Sequence, residues 1–64
     1  MSDFQQRVIE EKADLDAKIG KLDGFIIVGH IFPNLPQRDQ ELLIKQRDLM
    51  EQYSRVLDER IERF

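Results

Sequence analysis

Gln46, Tyr53 and Arg60 recur every seven residues in the C-terminal half of the chain. On a helix that spacing turns all three side chains the same way, so an amide, a phenol and a guanidinium share one track. An amide reads a polar edge, a phenol ring stacks against a base, and a guanidinium grips phosphate. Together they suit a nucleotide-like ligand. The same three residue types also occur at the polar border of helical bundles, where they snorkel, fix register, or pack with a wet hydroxyl. The spacing alone allows both roles.

Two more groups bear on chemistry. Glu11, Lys12 and Lys18 interrupt or flank the apolar stripe of the N-terminal half, where Val8 is followed seven residues later by Leu15. Either Glu11 and Lys12 pair with a facing helix, or Lys12 receives an anion; pairs such as Asp14 and Lys18 need no function at all. His30 stands in an uncharged stretch beside Phe32 and Pro33. It reads as a packed, hydrogen-bonded histidine, or as part of a rim around a pocket between copies of the chain.

Motifs that catalyse are missing. The chain has no phosphate-cradling glycine loop, HExxH helix, paired-cysteine motif or nucleophile elbow. Ser54, His30 and a carboxylate are formally a nucleophilic set, but nothing in their spacing positions them, so a non-enzyme is expected. With no Cys and one His, no disulfide framework, metal site or cofactor is expected either.

The elements that must hold these residues are helices. Phe4, Val8, Leu15, Ile19 and Leu22 follow steps of three, four or seven, and Ser2 or Asp3 can cap them, which predicts a helix over 2–25. Gly20 costs such a helix about 1 kcal/mol; it marks either a close approach to a partner helix or a tolerated surface position. Residues 26–35 form an apolar connector with Pro33 beside Asn34, and 25–32 read as a short strand or as the end of the helix followed by extended chain. Asn34 as cap and Pro36 in the first turn predict a second helix over 36–63. The expected architecture is an all-α antiparallel helical hairpin, one domain over 1–64, assembling into a homo-oligomeric helical bundle.

Assembly follows from size and patterning. A chain of 64 residues is marginal without disulfide, metal or partner. Leu42, Leu43, Leu49, Met50, Tyr53, Val56, Leu57 and Ile61 occupy more than one track of the second helix, so one hairpin seam leaves apolar surface over. A homodimer closing a four-helix bundle is the simplest solution, a homotetramer the next. The net charge of −3 disfavours DNA or RNA polymers as partners. The longest uncharged stretch, Gly24 to Gln37, contains two prolines and falls short of the roughly 20 residues of a membrane span. No secretory signal is recognisable, so a cytoplasmic location is expected.

The pattern Arg7-Val8, Glu11-Lys12, Leu15, Lys18-Ile19, Lys21-Leu22 and Phe25 is followed, after the proline-containing connector, by Leu42-Leu43, Gln46, Met50, Tyr53, Leu57 and Arg60-Ile61. It resembles a family of small helical-hairpin proteins of tailed and crAss-like bacteriophages. These are similar in build to the anti-CBASS and anti-Thoeris sponges, which oligomerise and sequester cyclic oligonucleotide or cyclic ADP-ribose-type immune signals. The resemblance implies a phage anti-defence protein in the cytoplasm of the infected bacterial host, holding its ligand intact in pockets between subunits. It further implies that Arg60 and Lys12 neutralise phosphates, Tyr53 stacks on a base and Gln46 reads a polar edge, with Arg7 and His30 as further ligand-binding candidates. The acidic net charge then demands local clustering of cations. Two other roles fit the same residues: a phage accessory protein that inhibits a host protein through its apolar connector or helix face, and a structural coiled-coil adaptor.

Overall fold

The computed structural model describes residues 2–64. Helix α1 runs Asp3–Ile27, a single 3-10 turn occupies Phe32–Asn34, and helix α2 runs Gln37–Glu62. α1 starts in a capping box: the Gln5 amide N–H donates to Ser2 Oγ at 3.2 Å, and the Ser2 N–H donates to the Gln5 side-chain oxygen at 3.3 Å. Two otherwise unpaired donors are satisfied by that exchange.

Helix α1 continues through Ile27 because its backbone ladder still finds partners there. The Val28 and Gly29 amides both donate to the Gly24 carbonyl, at 3.0 and 3.1 Å. No strand forms among residues 25–32. A Cβ on Gly29 would lie 2.5 Å from the Phe25 carbonyl oxygen, so the chain leaves the helix at the one residue able to pass that close.

The start of α2 differs from the expectation at Asn34. Its cap residue is Pro36, with no side-chain hydrogen bond, and Asn34 Nδ2 instead donates to the His30 carbonyl at 3.0 Å. The amide of Gln40 ties the connector down, donating to the carbonyls of Leu35 at 2.9 Å and Pro33 at 3.3 Å. Phe25 and Phe32 close the same end edge to face, with ring centroids 6.5 Å apart.

The helices pack antiparallel as a rod with extents of 46 × 15 × 13 Å. Val8, Leu15 and Leu57 are buried, Leu57 completely, and Ile19, Met50 and Ile61 pack around them. Gly20 meets nothing: a Cβ there would have no neighbour within 4 Å, so within one chain it marks no close approach.

Two stripes run along α2. Leu43, Arg47, Met50, Ser54, Leu57 and Ile61 turn toward α1, spaced alternately by four and three residues. One residue earlier at every step comes Leu42, Gln46, Leu49, Tyr53, Val56 and Arg60. One residue is about 100° of helical turn, so this second stripe faces sideways out of the hairpin. Leu42, Leu49, Tyr53 and Val56 are 43%, 55%, 45% and 50% exposed.

Candidate functional site

The middle of the hairpin seam is polar. Lys12 Nζ reaches Ser54 Oγ at 2.8 Å, Asp16 Oδ2 at 2.9 Å and Asp58 Oδ1 at 3.3 Å, and Ser54 Oγ donates to Asp16 Oδ1 at 2.6 Å. An ammonium has three donors, and all three are engaged. The Ser54 hydroxyl, followed by Lys12, holds the Asp16 carboxyl below its ordinary value of 3.8. The hydrogen bond to Asp16 raises Lys12 above 10.5 against an opposing desolvation, and Asp58 adds to it. Each group favours the charged form of its neighbour.

Tyr53 stands one residue before Ser54, at the border between seam and open face. Its hydroxyl donates to the Glu11 carboxylate across the helices, and its ring is partly exposed. It borders two shallow grooves. One, of about 460 Å³, runs against α1 and is lined by Arg7, Lys18, Glu10, Glu11 and Asp14 as well as Tyr53. The other, of about 420 Å³, lies along the outward stripe of α2 and takes in Leu42, Lys45, Gln46, Leu49 and Met50.

The candidate residues are thus divided. Tyr53 shares the first groove with Arg7 and the second with Gln46. Gln46 Nε2 lies 4.0 Å from Met50 Sδ, a weak contact that leaves its amide available. Arg60 is apart from both grooves: its guanidinium lies over the Phe4 ring, 5.7 Å from the centroid, beside Phe64. Lys12 is committed to the seam, and exposed His30 lies at the opposite end of the rod, in the connector. Ser54 and His30 are not brought together, since α2 alone separates Ser54 from the connector by roughly 25 Å.

Sequence reasoning passed over the partners that define the seam. Ser54 has the residue type of a nucleophile, yet its spacing from Met50 and Leu57 sets it among the seam residues. Asp16 and Asp58 carried no such signal, because isolated carboxylates on helices are ordinary.

The fold and its grooves define a class: small all-α hairpins whose second helix keeps an open apolar face. The family model of Sequestin matches residues 2–63, and the chain belongs to the Sequestin family. No curated protein and no solved structure matches it. Among the described residues, no helix is long and apolar enough to cross a membrane.

Proposed function

We propose that this chain is a phage anti-defence protein that sequesters a nucleotide-derived immune signal, of the cyclic oligonucleotide or cyclic ADP-ribose type. It holds the molecule intact in pockets between copies, in the cytoplasm of an infected bacterium. The family name speaks for sequestration, which calls for binding groups and no catalytic ones. The observation that carries the nucleotide reading is Tyr53: a partly exposed ring with Arg7 and Lys18 along one flank and Gln46 along the other.

Charge explains why copies must join. Arg7 and Lys18 share their groove with Glu10, Glu11 and Asp14, so one hairpin offers an anion no net attraction. A second copy would have to add cations or cover the carboxylates. Tyr53 is tied to Glu11, and a ligand that displaces this carboxylate frees the phenol for stacking.

Isothermal titration against cyclic dinucleotides, cyclic trinucleotides and cyclic ADP-ribose isomers tests this reading, with saturable heat expected for at least one. Absence of heat and of any thermal shift across the panel removes it. With a ligand in hand, Arg7→Ala should weaken binding by about 1.5–3 kcal/mol, the worth of a charge-assisted hydrogen bond. Arg60→Ala then measures whether its place over Phe4 excludes it from the site.

A second reading rests on the connector end, where Ile27, Val28 and Ile31 are exposed side by side. Such a patch suits a protein partner, and a host protein inhibited through it would come down in stoichiometric amount from bacterial lysate. Loss of that capture in Ile27→Ser/Ile31→Ser would assign it to this patch.

A further inference from the structure

We propose that the outward stripe of α2 is covered by the same stripe of a second copy running antiparallel, with the twofold axis within a turn of Leu49. This deepens the sequestration reading, because it says which surfaces meet and which way round.

The need for a cover comes from the count of what the hairpin buries. Only Val8, Leu15 and Leu57 among the described apolar residues are buried. Leu42, Leu49 and Val56 stand in line at seven-residue intervals in water, with Tyr53 between them. A stripe alternating by four and three residues is the seam of a two-helix coil. It lies about 100° around α2 from the seam with α1, the angle needed to place four helices at the corners of a square bundle.

Charge selects the occupant and its direction. Arg38, Lys45, Gln52 and Glu59 follow one another at intervals of seven along the edge of the stripe away from α1. An antiparallel copy centred near Leu49 sets Arg38 of each chain against Glu59 of the other, and brings Asp39 near Arg60. A parallel copy sets Arg60 against Arg60 and Asp39 against Asp39 in the seam itself, which is repulsive. Arg38 already meets its own Glu41 at 3.5 Å, an exposed contact that leaves donors free for a second carboxylate.

The apolar ends agree with this direction. Phe4 and Phe64 are exposed at one end of the rod, and Ile27, Val28 and Ile31 at the other. Antiparallel pairing over the full length of α2 brings each end level with the opposite end of the second copy. Gln46 and Tyr53 then lie on the shared wall, where a pocket between copies would draw on both chains.

The absence of native cysteine makes a single spin label unambiguous. Nitroxide-labelled Glu62→Cys should give a label-to-label distance of about 40 Å, set by the length of α2 and the spacing of packed helices. Parallel pairing gives about 20 Å or less, and a 7.6 kDa monomer in sedimentation at micromolar concentration gives no pair; either result overturns the proposal. Leu49→Glu should dissociate the wild-type dimer while retaining helical circular dichroism, and an unchanged dimer would also overturn it. Glu59→Lys should raise the dimer dissociation constant roughly three- to tenfold, with recovery in Arg38→Glu/Glu59→Lys. These readouts use no nucleotide, so a 40 Å distance without ligand heat strikes only the sequestration reading, and ligand heat with a 20 Å distance strikes only the antiparallel pairing.

Discussion

The two helices are nearly equal in length, 25 and 26 residues, and opposite in how they use their apolar side chains. In α1, Val8, Leu15, Ile19, Leu22 and Ile26 all lie on the inner side, buried or half-buried; only its ends, Phe4 and Ile27, carry exposed large apolar groups. In α2 the inner stripe of Leu43, Met50, Leu57 and Ile61 is matched by an outer one of Leu42, Leu49 and Val56. One stripe is completed by the hairpin. A helix with two stripes carries an instruction that its own chain cannot fulfil.

The contrast makes graded predictions, and the largest concerns the inner stripe. Leu57→Ala empties the one fully buried apolar site and should cost about 2–5 kcal/mol in denaturant unfolding. The outer Leu49→Ala should cost the isolated hairpin little and act through assembly, so that its deficit in melting temperature depends on protein concentration. A concentration-independent deficit equal to that of Leu57→Ala would erase the distinction between the stripes.

Next in size is the polar centre of the inner seam. Ser54→Ala removes the hydroxyl shared by Lys12 and Asp16 and should destabilise by about 1–2 kcal/mol. No comparable loss should follow Gln52→Ala on the exposed flank of α2.

A pH titration examines the same centre from its charges. Asp16 is more acidic when folded than its ordinary 3.8, so its contribution is complete above that value and is lost as pH falls through the lower folded value. Lys12 is raised above 10.5; its contribution is complete below that value and is lost as pH rises through the folded one. Melting temperature should therefore be level through the neutral range and fall at both extremes, and Asp16→Asn should flatten part of the acid limb. An acid limb identical in Asp16→Asn would assign that limb to other carboxylates.

The smallest effect is expected at the ion pair of Arg47 with Asp23, 3.4 Å apart and partly exposed. Arg47→Gln should change stability by a few tenths of a kcal/mol, detectable only in a double-mutant cycle with Asp23→Asn.

The helices were legible because their periodicity is a direct record of which side is covered. Val8, Leu15 and Ile19 mark one face of α1, and Ser2 marks its start. The connector was harder to read: its β-branched run allowed a strand, and the helical end at Ile27 depends on the backbone passing Phe25 at Gly29, a contact without a composition signal. Asn34 had the right residue type for a cap, yet its amide found the His30 carbonyl first. Of the candidate site, the heptad of Gln46, Tyr53 and Arg60 was visible in sequence, but spacing along one helix says nothing of the other. Arg60 rests on Phe4 and Lys12 is held by Ser54, Asp16 and Asp58, arrangements that only the docking of α1 against α2 creates.

The polar centre also sets how the molecule can move. A lengthwise slip of one helix past the other by a single turn, about 5.4 Å, would part Lys12 and Asp16 from the Ser54 hydroxyl that bridges them, while the Lys12–Asp16 pair within α1 stays whole. Losing that bridge costs about 1–2 kcal/mol, so the seam favours one register and each hairpin behaves as a keyed bar. In the assembly proposed above, accommodation of ligands of different size would fall to the tilt and separation of the bars, and to rotamers of the side chains along the open grooves.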